Sequence, residues 1–230
     1  HYAVETIPEV LESKRELIGA LMSADAGLVI GSNTGSFTVD ALAEGLPCPE
    51  NLIGIHYFNP AHIIPLVEIV CGPRTAPETA ETLKRLFVAM GKKPIVVPKF
   101  LPGFIANRLQ AALTQEVFFL LENGYATAEE IDAAAKSSFA LRNPIIGVVQ
   151  RFDYTGLDLT QKILRNRQYQ PPQVIDRSPT VDRLVAAGHL GVKTGRGFYD
   201  YGGRTAAELM QERDRRLLRL LDLLEEMGEI

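Results

Sequence analysis

Between residues 2 and 98, short apolar runs alternate with longer amphipathic stretches, the pattern of a parallel sheet whose strands are joined by crossover helices. The runs predict strands at 2–5, 27–32, 52–58, 65–70 and 94–98, with helices between them at 9–23 and 77–90. The second of these helices is expected to open on a capping box of Thr75 with Glu78, to carry Pro77 in its first turn and to stop at Gly91. The period changes at "PKFLPGF" (98–104), and only helical spacing follows. A boundary is therefore placed between an α/β part, residues 1–98, and an all-α part, residues 99–230. In the latter, helices are expected at 104–123, ended by Gly124; at 128–138, capped by Thr127 and Glu130; and at 144–164 and 179–187. The tail sets Leu217, Leu220, Leu221 and Leu224 on one stripe with charges opposite, so it should pack against something.

Composition narrows the class. A chain of 230 residues with 46% hydrophobic content can bury a core. Its net charge of −4 and scattered bases argue against nucleic acid or an anionic membrane as partner. Cys48 and Cys71 are too few for a disulfide framework, which points to a reducing cytoplasm. No apolar stretch reaches the roughly 18 residues of a membrane span.

Two polar residues interrupt the apolar stretch "GIHYFNPAHIIPLVEIV" (54–70). A carboxylate at Glu68, inside a buried strand, must find compensation. His56, at the end of the preceding strand, is far enough along the chain for one strand to leave and its neighbour to return beside it. If they meet, Glu68 fixes the imidazole tautomer and favours its protonated form, giving a base able to take a proton from an alcohol. The bland alternative is an ion pair that serves the core alone. The stretch "SNTGSF" (32–37) supplies hydroxyls and amides at a strand end, where open α/β sheets bind ligands, and Asn59 ends the His56 strand on the same rim. Asn107, in "PGFIANR", opens the first helix of the second part. Each has an ordinary use as turn or cap residue; together they converge on one rim. "GHLGVKTG" (188–195) lacks the spacing of a phosphate loop, and His62 and His189 have no ligand-spaced partner, so no metal is expected.

Taken in order, "ETIPEVLESKREL", "SNTGS", "GIHYFNP", "PLVEIV", "PGFIANRL", "DYTGLD" and "GVKTGRGFYDY" resemble the NAD-dependent L-3-hydroxyacyl-CoA dehydrogenases, including 3-hydroxybutyryl-CoA dehydrogenases and their hydroxy-acid relatives. The resemblance implies the C-terminal portion of a Rossmann-type parallel sheet followed by an all-α domain that covers substrate and forms a homodimer. It implies His56 as general base, Glu68 as its orienting partner, and Asn107 with the "SNT" region holding the substrate oxygen. Glu9, Lys14, Asn33 and Asn59 match positions lining the nicotinamide and ribose of NAD. The implied reaction interconverts a 3-hydroxyacyl-CoA and its 3-oxoacyl-CoA, as in fatty-acid β-oxidation.

Three departures qualify this. No G-x-G-x-x-G occurs, so a longer protein is expected, with that loop upstream of residue 1. Gly35 stands where the family usually carries serine, leaving Thr34 and Ser36 as the nearby hydroxyls for substrate. His62, Pro65 and "ALRNPIIG" look more like relatives acting on free hydroxy acids of gulonate, carnitine or pyridine-carboxylate type. A free hydroxy acid, or a non-catalytic relative of the fold, is thus the alternative.

Overall fold

The computed structural model describes residues 1–167 and 169–228. It divides into two compact units, His1–Gln110 and Ala111–Ile230.

The first unit runs β1 (Tyr2–Glu5), α1 (Leu11–Ala24), β2 (Val29–Asn33), α2 (Val39–Ala43), β3 (Leu52–Tyr57), β4 (Leu66–Val70), α3 (Pro77–Ala89) and β5 (Lys93–Val97). The strands form one sheet in sequence order. All neighbours are parallel except β3 and β4, which run antiparallel. The carboxyl ends of β1, β2 and β3 therefore share a rim with the start of β4.

Both faces of the sheet are covered, as a mostly parallel sheet requires. Lys14, Ile18 and Met22 recur every fourth residue along α1, so they line one face of that helix. Ile18 and Met22 join Val39, Leu42 and Ala43 of α2 over Ile30 and Leu52. On the other side Ala80, Leu83 and Phe87 of α3 cover Ile53, Ile55, Val67 and Ile69. Strand alternation leaves His56, Glu68 and Val70 for the opposite face. Val70 meets Val97, Phe100 and Phe104 there.

The second unit is helical. It comprises the greater part of α4 (Ala106–Glu122), then α5 (Ala128–Lys136), α6 (Phe139–Ile146), α7 (Gln150–Thr155), α8 (Leu157–Asn166), α9 (Pro179–Ala186) and α10 (Ala206–Met227). The expected box of Thr127 and Glu130 is present at α5. Another, Thr205 with Glu208, opens α10. No helix among the described residues is long and apolar enough to cross a membrane.

Several expectations need correction. The N-cap of α3 is Ala76, with no side-chain cap. Thr75 instead donates its hydroxyl to the Leu52 carbonyl and accepts from the Gly72 amide, tying β3 to the turn before α3. The single helix expected over 144–164 is three: Gly147 and Gly156 adopt φ of 64° and 97° and break the run into α6, α7 and α8. The short helix α2, capped by the Thr38 hydroxyl, lay unseen in a stretch too short to show a period. Of the four stripe leucines on α10, Leu217, Leu221 and Leu224 are half-buried, whereas Leu220 is 44% exposed.

Candidate active site

The antiparallel register sets His56 directly opposite Glu68. The His56 Nδ1 lies 2.9 Å from Glu68 Oε2. The Glu68 side chain is fully buried and that of His56 is 16% exposed. The second carboxylate oxygen is also engaged: Glu68 Oε1 accepts from the Ile105 and Ala106 amides at 2.9 and 3.0 Å. These N–H groups open α4, where unsatisfied donors and the positive end of the helix favour an anion. The buried charge thus has its compensation. An ionised carboxylate only accepts, so Nδ1 carries the proton in this hydrogen bond and Nε2 keeps its lone pair. Phe58 and Phe104 set their rings edge-on to the imidazole at 4.5 and 5.4 Å between centroids.

Asn107 follows Ala106 directly in α4 and is exposed. Asn59 is exposed just beyond the end of β3, and Asn33 ends β2, half-buried.

A second buried pair stands beside this rim. Glu5, at the end of β1, accepts from Lys14 Nζ at 2.8 and 3.0 Å, from Ser32 Oγ at 2.5 Å and from the Ile7 amide at 2.7 Å. Both side chains of the pair are fully buried. Lys14 also donates to the Asn33 carbonyl at 3.3 Å and lies 3.3 Å from Glu9 Oε2. Its ammonium is thus sealed, and reaches the rim through those two neighbours. Glu9 accepts from the Thr34 hydroxyl and, at 3.1 Å, from the Ser36 amide. Burial alone would raise the Glu9 pKa, but those donors and the Lys14 charge outweigh it and hold the carboxyl below its usual range. Thr34 is buried and spent on this turn, also accepting from the Phe37 amide at 3.0 Å, whereas Ser36 is exposed. A Cβ on Gly35 would meet nothing within 4 Å, so a serine there would fit.

Glu5 and Phe104 were not singled out from the sequence. The signal for Glu5 was the one that exposed Glu68, a carboxylate closing an apolar run. Phe104 carried only the glycine before it.

The polar groups of the rim have the chemistry for half of NAD: the Glu9 carboxylate could accept from ribose hydroxyls, and the Asn33 and Asn59 amides could both donate and accept. The pyrophosphate calls for a glycine-rich loop that residues 1–230 do not contain.

Known proteins resemble the chain along most of its length. Residues 1–100 match the family model "3-hydroxyacyl-CoA dehydrogenase, NAD binding domain", and residues 103–201 match "3-hydroxyacyl-CoA dehydrogenase, C-terminal domain". The chain is 30% identical over 232 residues to 5-formyl-3-hydroxy-2-methylpyridine 4-carboxylate 5-dehydrogenase of Mesorhizobium japonicum, covering 96% of this chain and 72% of that protein. It is 34% identical to L-carnitine dehydrogenase of Streptomyces griseus, covering 96% and 66%. It is 36% identical over 207 residues to human mitochondrial hydroxyacyl-coenzyme A dehydrogenase, covering 86% and 63%. A crystal structure of the pyridine-carboxylate dehydrogenase, described as an NAD+ dependent dismutase, superposes with a TM-score of 0.88 at 28% identity, over 100% of this chain and 74% of that one. The chain belongs to the 3-hydroxyacyl-CoA dehydrogenase family of NAD-dependent oxidoreductases. It spans 63% to 72% of the length of these three curated relatives.

Proposed function

We propose that the protein oxidises a hydroxyl-bearing carbon, with His56 as general base. The observation that carries this is the His56–Glu68 pair with Glu68 anchored by the Ile105 and Ala106 amides. NAD, when bound, takes the hydride. His56 Nε2 takes the hydroxyl proton, and the charge that develops on the ring faces the Glu68 carboxylate across 2.9 Å. Asn107 and the exposed Ser36 are the candidates to hold the substrate oxygen. Glu9, Asn33 and Asn59 would line the ribose and nicotinamide, with Lys14 holding Glu9 and the Asn33 carbonyl from beneath.

In the full-length protein, His56→Ala should lower kcat by about 10²–10⁴-fold while NAD affinity stays near normal. Glu68→Gln should cost less, and the double variant little more than His56→Ala alone, because the two act as one unit. Near wild-type turnover by His56→Ala on 3-hydroxybutyryl-CoA and on a panel of free hydroxy acids would sink the mechanism and favour a structural pair.

For the substrate, the readings are a 3-hydroxyacyl-CoA thioester and a free hydroxy acid. The two family models and the human relative support the first. The second is favoured by coverage: the pyridine-carboxylate and carnitine enzymes align with 96% of this chain, against 86% for the human CoA enzyme. Gly35 adds to it by withholding a hydroxyl. Gly35→Ser should raise activity on 3-hydroxybutyryl-CoA if that missing donor is what disfavours the thioester.

A homodimer through the helical unit completes the proposal, supported by the apolar surface that unit leaves open. The two unpaired cysteines suit a cytoplasmic setting.

A further inference from the structure

Phe104 adopts φ of 48°, in the left-handed region that side-chain-bearing residues rarely enter. Among the described residues Arg167 is the one other non-glycine there, and it caps the end of α8, a customary place for that conformation. Phe104 caps nothing. It follows Gly103, itself at φ 78°, and precedes the two amides that grip Glu68. Its ring is buried among Val70, Val97 and Phe100 and stands 5.4 Å from the His56 ring. Its own amide donates to the Leu101 carbonyl at 2.8 Å.

We infer that Phe104 is a positioning residue of the His56–Glu68 pair: its left-handed backbone turns the Ile105 and Ala106 amides onto Glu68 while its buried ring locks that turn and closes over the imidazole. An unfavourable φ persists where surrounding contacts over-determine it, and such sites cluster where geometry matters for function. A glycine would reach the same φ without strain and keep the turn, giving up only the ring contacts that steady it. A bulky residue anchored in the core fixes both amides relative to β4, and so fixes which way Glu68 Oε2 points. This rests on the reading of His56 as base.

The test is a series at position 104 in the full-length protein, read by kcat and by the downfield proton resonance of the His56 Nδ1–H held by a carboxylate, assigned by its loss in His56→Ala. Glycine and asparagine enter the left-handed region readily and valine does not. Phe104→Val should lose the resonance and about 10²-fold in kcat, the scale of a slightly misplaced catalytic group. Phe104→Gly and Phe104→Asn should keep the resonance and stay within about 10-fold of wild type. Circular dichroism confirms that each variant folds. Should the valine variant fail to fold, alanine against glycine carries the same contrast, with alanine the poorer despite its extra methyl. Losses that rank by missing volume, with glycine worse than valine or alanine, would overturn the inference and leave Phe104 a packing residue. A resonance that follows backbone preference while kcat does not move would uphold the positioning and instead refute His56 as the base.

Discussion

Phe87 and Phe119 both sit on amphipathic helices, yet the first is 0% exposed and the second 37%. The contrast extends to everything around them. Buried apolar residues run from Ile18 to Phe104, all in the first unit. Among the described residues beyond 110, no apolar side chain is buried, and Ser178 is the single residue that is. Leu141, Leu157, Ile163 and Leu164 are all more than half exposed. A helix stabilised chiefly by packing of its apolar face needs that face covered. The first unit covers its own, as a sheet between two helical layers can. The second presents apolar stripes that its own helices leave open, the surface that the homodimer proposed above would cover.

The comparison can be broken, and the largest effect is expected in the first unit. Phe87→Ala should cost about 3–5 kcal/mol in chemical denaturation, with a midpoint indifferent to protein concentration. Lys14→Met should cost nearly as much, about 3 kcal/mol, because it strands the buried Glu5 carboxylate. Adding Glu5→Met should recover most of that stability while NAD binding, followed by calorimetry, stays weak. Recovery of both would mean that the pair serves folding alone.

In the second unit, Leu164→Asp should barely disturb a monomer, since the side chain is 73% exposed there. If a second copy covers it, the same change should convert a dimer to a monomer in light scattering and abolish the concentration dependence of the melting temperature that a dimer shows. A wild-type chain that scatters as a monomer at micromolar concentration would remove the interface reading. The smallest effect concerns Glu9. Its folded pKa lies below the ordinary one, so its contribution is present above the ordinary carboxylate pKa and is lost as pH falls through the lowered value. Amide exchange at Ser36 should quicken over that acid window, and Thr34→Val should move the window upward.

Legibility in the sequence followed the same division. The five strands and α1 and α3 were readable because each apolar period is satisfied within its own unit. His56 and Glu68 were readable as a pair because a strand ladder converts spacing into contact. The Thr75 box failed because its hydroxyl finds a different partner, the Leu52 carbonyl, 23 residues away in sequence. The breaks at Gly147 and Gly156 were missed because exposed helices of the second unit are set by local backbone conformation, which a hydrophobic period does not record. Phe104 was illegible for a plainer reason: nothing in a phenylalanine announces a positive φ until the core around it is assembled.

The antiparallel turn-back of β3 into β4 has one more implication, for how such a protein can change. His56 and Glu68 face each other through the ladder, so their meeting does not depend on the length of the loop from Phe58 to Pro65. That loop passes beside the base and can be lengthened, shortened or rewritten while the proton-transfer pair keeps its register. Apart from Phe58 against the imidazole, Asn59 proposed for the cofactor and the buried Ile63, its positions can vary, and grafting the segment between relatives should leave the proton-transfer pair intact.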